Sequence, residues 1–193
     1  DHDQVAVIVG DVSGKGFPAA MLMANLQATL RGQCLIAASP GECLRRSNKL
    51  LFRSTSEEKF SSLFYGIIDK EKNEFRYSNA GQNPPFHFSE GKVERLKAGG
   101  VILSMMEDFD YQESSVAIRP GDLLILYSDG ITEAINKDEE EFGEDRFVDL
   151  ITKLQETSAC QIMDAVIAAV GKHAGNLPQM DDMTLMIIKR LKN

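Results

Sequence analysis

The sequence QVAVIVGDVSGKGFPAAMLMANLQATL, from Gln4 to Leu30, contains a strand pattern, a turn and a helix pattern in succession. Residues 4–10 are rich in β-branched side chains and end at a glycine, which predicts a strand buried on both faces. Residues 11–16 (DVSGKG) predict a turn, and the Ala-, Leu- and Met-rich run from Phe17 predicts a long helix. Pro18 suits the first turn of that helix, where a missing N–H costs nothing. Because the helix is apolar nearly all round, we expect it to be buried between layers of the fold.

The order of the remaining predicted elements sets the fold class. A second helix is predicted over residues 40–53, with Leu44, Leu50 and Leu51 facing inward. Helices that are grouped rather than alternating with strands predict an α+β fold with antiparallel sheets. The other predicted strands are 60–69, 74–78, 86–88, 92–96, 123–127 and 183–191, and the late helices are 145–155 and 159–173.

Composition limits the class of protein. The chain has 193 residues, of which 43% are hydrophobic and 26% charged, as in one soluble globular domain. Its net charge of −8, from 29 acidic and 21 basic residues, opposes binding to nucleic acid or to an anionic membrane. The chain has no apolar run of about 18 residues, the length that a spanning helix requires. We therefore expect no nucleic-acid partner, no membrane insertion and a cytoplasmic location.

The cysteines argue against covalent or metal crosslinking. There are three of them, Cys34, Cys43 and Cys160, and they show no metal-binding spacing. An odd, scattered set argues against a disulfide framework and against a Cys-based metal site. We expect buried thiols in a reducing cytosol.

Three aspartates occupy the same kind of position, next to the end of an apolar strand. Asp11 follows VAVIVG, Asp129 follows LLILYS, and Asp181 precedes MTLMIIK. Carboxylates that meet at the rim of a sheet repel one another unless one is protonated or a cation intervenes. Oxygen-only ligands suit Mg²⁺ or Mn²⁺. The alternative is that these aspartates are turn formers, and spacing alone leaves both interpretations open.

Five motifs occur in the chain in this order: DVSGKGFPAAMLM (11–23), NAGQNPP (79–85), PGDLLILYSDGITEA (120–134), FGEDRF (142–147) and DDMTL (181–185). In this order they resemble the SpoIIE/RsbU-type bacterial serine phosphatases, members of the metal-dependent protein phosphatase superfamily of the 2C type. The resemblance extends over residues 4–189 and implies a single phosphatase domain over residues 1–193. The fold that it implies is an α-β-β-α sandwich, with two mainly antiparallel sheets flanked by helix pairs.

The resemblance also implies a role for the motif aspartates. It makes Asp11 the bridge between two Mn²⁺ or Mg²⁺ ions, and it makes the backbone carbonyl of Val12 a further ligand. Asp129 and Asp181 complete the catalytic, metal-binding set, and we interpret Asp182 as a neighbour. In such enzymes a metal-activated water attacks phosphorus in line.

The chain departs from the family pattern at its start and in one turn. Family members usually carry an acidic GGDYYD-like segment before DVSGKG, and that segment supplies a further metal ligand. Because the chain begins after that point, we expect a trimmed domain that lacks its first strand or strands and has an incomplete metal site. Gln82 stands where the family turn usually has a histidine.

The resemblance extends to substrate and partners. It implies a protein phosphoserine or phosphothreonine as the substrate, carried by an anti-sigma-factor antagonist. It also implies a sensory or receiver domain upstream in the full-length protein. The competing hypothesis is a regulatory binding module that keeps the phosphatase fold without turnover, and the presence of all three aspartates weighs against it.

Overall fold

A computed structural model describes residues 3–55 and 59–192. The chain divides into two compact units. Unit 1 runs to Pro84 and also contains Leu96–Ile118, and unit 2 contains Pro85–Arg95 and the chain from Arg119 onward. Each unit has its own sheet and its own apolar cluster.

Both units contain helices and strands, and their bounds follow the chain. The elements of unit 1 are β1 (Gln4–Val12), α1 (Gly16–Cys34), α2 (Pro40–Ser54), β2 (Ser61–Asp69), β3 (Glu74–Ala80), β6 (Gly99–Gly100) and β7 (Ser114–Ala117). Those of unit 2 are β4 (Phe86–Ser89), β5 (Lys92–Arg95), β8 (Leu123–Tyr127), α3 (Asp129–Thr132), α4 (Glu144–Leu154), α5 (Ala159–Ala174) and β9 (Leu185–Lys189).

The sheet of unit 1 has the strand order β1-β2-β3-β6, and β7 also pairs with β3. These pairs are antiparallel except for the two-residue contact of β3 with β6, which is parallel. The register of β1 on β2 places Asp11 opposite Ser62. This pairing fixes the surroundings of the first candidate ligand.

Helix α1 forms where it is predicted, but its burial differs from the prediction. Its buried residues recur every four positions, so they form one stripe along the helix. The expectation that α1 is buried between layers is wrong, because Phe17 is 77% exposed. Alanine and methionine favour a helix whether or not they are buried, so the apolar run predicted the helix and not its burial. The buried residues are Leu22, Leu26 and Leu30.

Helix α2 begins after a side-chain cap, as predicted. The Glu42 N–H donates to Ser39 Oγ at 3.4 Å. Leu44 and Leu51 are fully buried, whereas Leu50 is 47% exposed, so the inward orientation predicted for Leu50 is wrong. Leu44 and Leu51 are seven residues apart, so they lie on the same face of the helix. Leu50 comes one residue before Leu51 and therefore points about 100° away from that face.

Unit 2 has a four-stranded antiparallel sheet in the order β5-β4-β8-β9. Every residue of β8 is buried, as its unbroken apolar run predicts. One apolar cluster joins this sheet to α4 and α5, and within it the rings of Phe86 and Tyr127 stack 5.5 Å apart. The predicted α+β class with two mainly antiparallel sheets is confirmed.

Two findings concern single elements. The short helix α3 was not predicted from the sequence. Among residues 3–55 and 59–192, no helix is both long and apolar enough to cross a membrane.

Candidate active site

In unit 2, Ser128 connects two motifs that are distant in sequence. It lies between the end of β8 and the first residue of α3, Asp129. The Ser128 N–H donates to the carbonyl oxygen of Thr184 at 3.0 Å, and the Thr184 N–H donates to Ser128 Oγ at 2.8 Å. Ser128 Oγ itself donates to the carbonyl oxygen of Asp182 at 2.9 Å. These hydrogen bonds hold the SDG motif against the DDMT motif.

Gly130 allows the two motifs to approach this closely. A Cβ at this position would lie 2.5 Å from the carbonyl oxygen of Asp182 and 3.3 Å from that of Asp181. The first distance is shorter than real side chains show, and a backbone oxygen cannot rotate away. Any other residue at position 130 would therefore push the motifs apart.

The two aspartates of these motifs each use one carboxylate oxygen locally. Oδ1 of Asp129 accepts the N–H of Gly130 at 2.9 Å, and Oδ1 of Asp181 accepts the N–H of Asp182 at 2.8 Å. Asp129 is half-buried and Asp181 is exposed. Within the described part of the chain, neither Oδ2 atom has a hydrogen-bond or ion-pair partner. Both aspartates therefore keep an oxygen for a cation.

Glu133 is an acidic residue of this region that the sequence analysis missed. It caps the C-terminus of α3, four residues after Asp129. The signal for it is the spacing in DGITE, since residues four apart lie on one side of a helical turn. Desolvation of the carboxyl group raises the pKa of Glu133, and nearby negative charges raise it further. Those charges belong to Asp129, Glu141 and Asp181.

We call Asp129, Glu133 and Asp181 the acidic end of unit 2. A cavity of about 330 Å³ opens beside it, with Gly130, Glu133 and Asp181 in its wall. Most of the remaining wall is apolar and comes from α5 and from residues 177–183. The acidic end therefore has space beside it for a ligand or a substrate group.

Asp11 and Val12 lie in unit 1, and the structure corrects their predicted setting. Strand β1 continues to Val12, so Asp11 is a strand residue and not the first residue of the turn. Asp11 is exposed, while Val12 is half-buried and packs against the apolar cluster of the unit. The turn begins at Ser13, whose N–H donates to the carbonyl oxygen of Phe60 at 3.0 Å. The Phe60 N–H donates back to Ser13 Oγ at 3.1 Å.

Gln82, which departs from the family pattern, is held firmly in unit 1. Its N–H donates to Asn79 Oδ1 at 2.8 Å, and Asn79 Nδ2 donates to the Gln82 carbonyl oxygen at 2.8 Å. Ser62 Oγ donates to Gln82 Oε1 at 2.7 Å. Ser62 lies opposite Asp11 in the pairing of β1 with β2, so the glutamine is hydrogen-bonded to the strand partner of the candidate ligand.

The chain matches the family model described as Stage II sporulation protein E (SpoIIE) over residues 1–191. The chain belongs to the SpoIIE family. The resemblance found in the motifs is therefore confirmed.

Two curated relatives illustrate the family. The chain is 27% identical over 197 residues to Phosphoserine phosphatase RsbU of Bacillus subtilis, covering 98% of the chain and 57% of RsbU. It is 30% identical over 220 residues to Protein IcfG of Synechocystis sp., covering 97% of the chain and 34% of IcfG. This SpoIIE-family chain thus spans less than two thirds of either relative.

Solved structures establish the fold of this SpoIIE-family chain. The SiaA-PP2C domain of Pseudomonas aeruginosa matches with a TM-score of 0.86 and 21% identity, over 98% of this chain and 77% of that one. The PP2C phosphatase domain of SpoIIE from Bacillus subtilis matches with a TM-score of 0.76 and 23% identity, over 95% of this chain and 54% of that one. The fold is that of the PP2C-type phosphatases, as predicted.

The predicted ligands of this SpoIIE-family chain are divided between the units. Asp129 and Asp181 come together in unit 2, whereas Asp11 and Val12 belong to unit 1. Among residues 3–55 and 59–192, no group of three or more His, Cys, Asp or Glu side chains is arranged to hold a metal ion. The donors of the acidic end are nonetheless all oxygen atoms, and these fit a hard cation such as Mg²⁺ or Mn²⁺.

Proposed function

We propose that this SpoIIE-family chain is the catalytic domain of a metal-dependent protein serine/threonine phosphatase. The observation that carries the proposal is the hydrogen-bonded contact of the SDG and DDMT motifs, which brings Asp129 and Asp181 to one end of unit 2. The names of two relatives, Phosphoserine phosphatase RsbU and Phosphoserine phosphatase RsbP, support the reaction class.

Asp11, the Val12 carbonyl, Asp129 and Asp181 are the proposed ligands of two Mn²⁺ or Mg²⁺ ions. This assignment rests on the motifs and on family membership. Divalent ions at such a site supply Lewis acidity and a water of lowered pKa for attack on phosphorus. The protein itself fixes the carboxylates before the substrate arrives. Groups held in place in this way stabilise the transition state without having to reorganise during the reaction.

The supporting residues of unit 2 orient this proposed ligand pair. Ser128 fixes the start of α3, and Gly130 lets that turn contact the backbone of Asp182. The cavity beside the acidic end gives a phosphorylated side chain a way to approach. Its largely apolar wall reduces the access of water, which strengthens electrostatic interactions at the site.

The proposed substrate is a phosphoserine or phosphothreonine on a protein, namely an anti-sigma-factor antagonist. The name of one relative, Phosphoserine phosphatase RsbU, supports phosphoserine as the group that is hydrolysed, and the antagonist rests on the motif resemblance. The chain corresponds to only 57% of RsbU, so the sensory or receiver domain upstream is part of the proposal. We further propose that residues 1–193 act as one phosphatase domain in the cytoplasm.

A second candidate function is a regulatory binding module without turnover. The observation that favours it is that no three metal-binding side chains converge within the described residues. Such a module would keep the cavity and the fold but would not hydrolyse any phosphate monoester. Activity therefore separates the two candidates.

The test compares two neighbouring aspartates in the full-length protein. With Mn²⁺ and p-nitrophenyl phosphate, a substrate that requires no knowledge of the natural partner, wild type should turn over and excess chelator should stop it. Asp181→Asn should lower kcat/KM by about 100-fold or more, because a metal ligand is worth several kcal/mol. Asp182→Asn is the matched control and should stay within about threefold, since only its backbone contacts Ser128. A wild type without turnover would support the binding module.

A further inference from the structure

The cysteines of unit 1 are not isolated, contrary to the expectation from the sequence. The Sγ atoms of Cys34 and Cys43 lie 3.6 Å apart. Cys34 is the last residue of α1, and Cys43 lies in the first turn of α2. The short connection between the helices therefore brings two thiols into direct contact.

The two thiols differ in their access to solvent. Cys43 is fully buried, whereas Cys34 is half-buried. The residues after Cys34 are among the most exposed apolar residues of the chain, with Leu35 at 86% and Ile36 at 61%. Cys34 is therefore the more accessible of the two thiols to a small oxidant.

The two thiols also differ in their tendency to ionise. Hydrogen bonds from the Cys43 thiol and, more weakly, from the Tyr65 hydroxyl lower the pKa of Cys34, although burial opposes this. The same hydrogen bond, together with burial, raises the pKa of Cys43. Because the thiolate is the reactive form of cysteine, Cys34 is the nucleophile and Cys43 is the thiol that remains protonated beside it.

We propose that Cys34 and Cys43 form a peroxide-sensitive dithiol, a site of reversible oxidation that closes to a disulfide. In the first step the Cys34 thiolate attacks hydrogen peroxide. The O–O bond breaks, an S–O bond forms, hydroxide leaves, and the sulfur is oxidised to a sulfenic acid while the peroxide is reduced.

In the second step Cys43 attacks the sulfenic sulfur of Cys34. An S–S bond forms, the S–O bond breaks, and the departing hydroxide takes the Cys43 proton and leaves as water. An external dithiol reverses the reaction by two exchanges, and it is itself oxidised to a disulfide. The sulfur atoms must approach from 3.6 Å to the disulfide length of about 2.0 Å, a movement that side-chain rotation near the end of α1 can supply.

Closure would lock the junction of the two helices. Cys34 and Cys43 both belong to the apolar cluster that contains Leu63 of β2. Leu63 follows Ser62, the residue opposite Asp11. We expect the disulfide to raise the melting temperature by about 5 °C, because it closes a short loop in the unfolded chain.

Peptide mapping of the full-length protein tests the proposal without any substitution. Trypsin releases both cysteines in one peptide, Gly32–Arg45, and releases Cys160 in another. After brief treatment with equimolar hydrogen peroxide, peptide 32–45 should lose about 2 Da, and dithiothreitol should restore its mass. A peptide 32–45 that stays reduced while Cys160 is oxidised would overturn the proposal. So would a gain of about 16 Da or more in peptide 32–45 without the loss of 2 Da.

Three variants assign the roles of the two sulfur atoms. In Cys43→Ala the sulfenic acid of Cys34 should persist and react with dimedone, whereas Cys34→Ala should give no labelling at position 43. Cys160→Ala is the matched control, since the Cys160 thiol of the wild type is exposed and distant in sequence from the pair. Peptide 32–45 of this variant should lose 2 Da at the wild-type rate. Labelling of Cys43 in Cys34→Ala at the rate of Cys34 would contradict the assigned order. If Cys43→Ala fails to fold, the wild-type peptide decides the question alone.

Discussion

The acidic end of unit 2 and the Asp11 strand of unit 1 position their carboxylates in different ways. In unit 2, Asp129 and Asp181 come from segments distant in sequence, and Ser128 and Gly130 hold those segments in contact. In unit 1, Asp11 is positioned by the pairing of its own strand with β2. The difference teaches that the ligand pair of unit 2 depends on a few specific contacts. Substitutions at these contacts should therefore be more harmful than substitutions around Asp11.

Removal of a proposed ligand should have the largest effect. Asp129→Asn in the full-length protein should lower the Mn²⁺-dependent kcat/KM by about 1000-fold, because a metal ligand contributes several kcal/mol to transition-state stabilisation. The melting temperature without metal should change little, since the half-buried side chain fills no core volume. Asp164→Asn, an exposed acidic residue of α5, is the control and should keep wild-type activity. Activity of Asp129→Asn within about tenfold of wild type would contradict the assignment.

Gly130→Ala tests the close contact in unit 2. The new Cβ would lie 2.5 Å from a backbone oxygen, so the free energy of unfolding should fall by about 1–3 kcal/mol. Displacement of Asp129 should also lower activity by roughly 100-fold. Gly32→Ala in α1 is the matched control, because a Cβ there meets no atom within 4 Å and the residue lies outside the cavity. It should leave activity unchanged and raise stability slightly. Equal effects of the two substitutions would show that the contact has no special role.

A pair of serine substitutions compares the two units directly. Ser128→Ala removes two hydrogen bonds of the hydroxyl group and should cost about 2 kcal/mol of unfolding free energy and roughly tenfold in activity. Ser62→Ala removes one hydrogen bond, to Gln82, and should cost about 1 kcal/mol with a smaller loss of activity. Chemical denaturation and initial rates measure both. A larger loss of stability and activity in Ser62→Ala than in Ser128→Ala would contradict the greater sensitivity of the unit 2 contacts.

The smallest effect is expected at Glu133. Its pKa is raised in the folded state, so its negative charge destabilises the metal-free protein above that pKa. Glu133→Gln should therefore raise the metal-free melting temperature by about 1 °C at neutral pH. The gain should fall as the pH drops through the raised pKa, and it should vanish below the ordinary value of 4.5, where wild-type Glu133 is protonated in both states. Melting curves across this pH range measure it, and a gain that persists in acid would contradict the electrostatic explanation.

Local signals explain what the sequence predicted correctly. The presence of a strand and a helix within residues 4–30 and the buried strand β8 follow from side-chain pattern and propensity, which act over a few neighbouring residues. The burial of β1 on both faces, like that of α1, was predicted wrongly, since Val5 is 43% exposed. The identity of the proposed ligands came from motif resemblance, which is also readable from the sequence.

Contacts between segments that are distant in sequence explain what the sequence did not predict. The contact of Gly130 with Asp182 depends on the register of β8 on β9, which places Tyr127 opposite Leu185. The proximity of Cys34 and Cys43 likewise depends on the path of the chain between α1 and α2. Neither the register nor the path is encoded in a short local pattern.

The most direct test of the account is Mn²⁺ binding by the full-length protein, measured by the electron paramagnetic resonance signal of the free ion. We expect wild type and Asp182→Asn to bind with equal affinity, and Asp129→Asn and Asp181→Asn each to bind at least about tenfold more weakly, since each loses a charged ligand. That result would make the contact of the SDG and DDMT motifs the centre of a metal site. Equal affinity in all four proteins would contradict it and would leave Asp129 and Asp181 as turn residues.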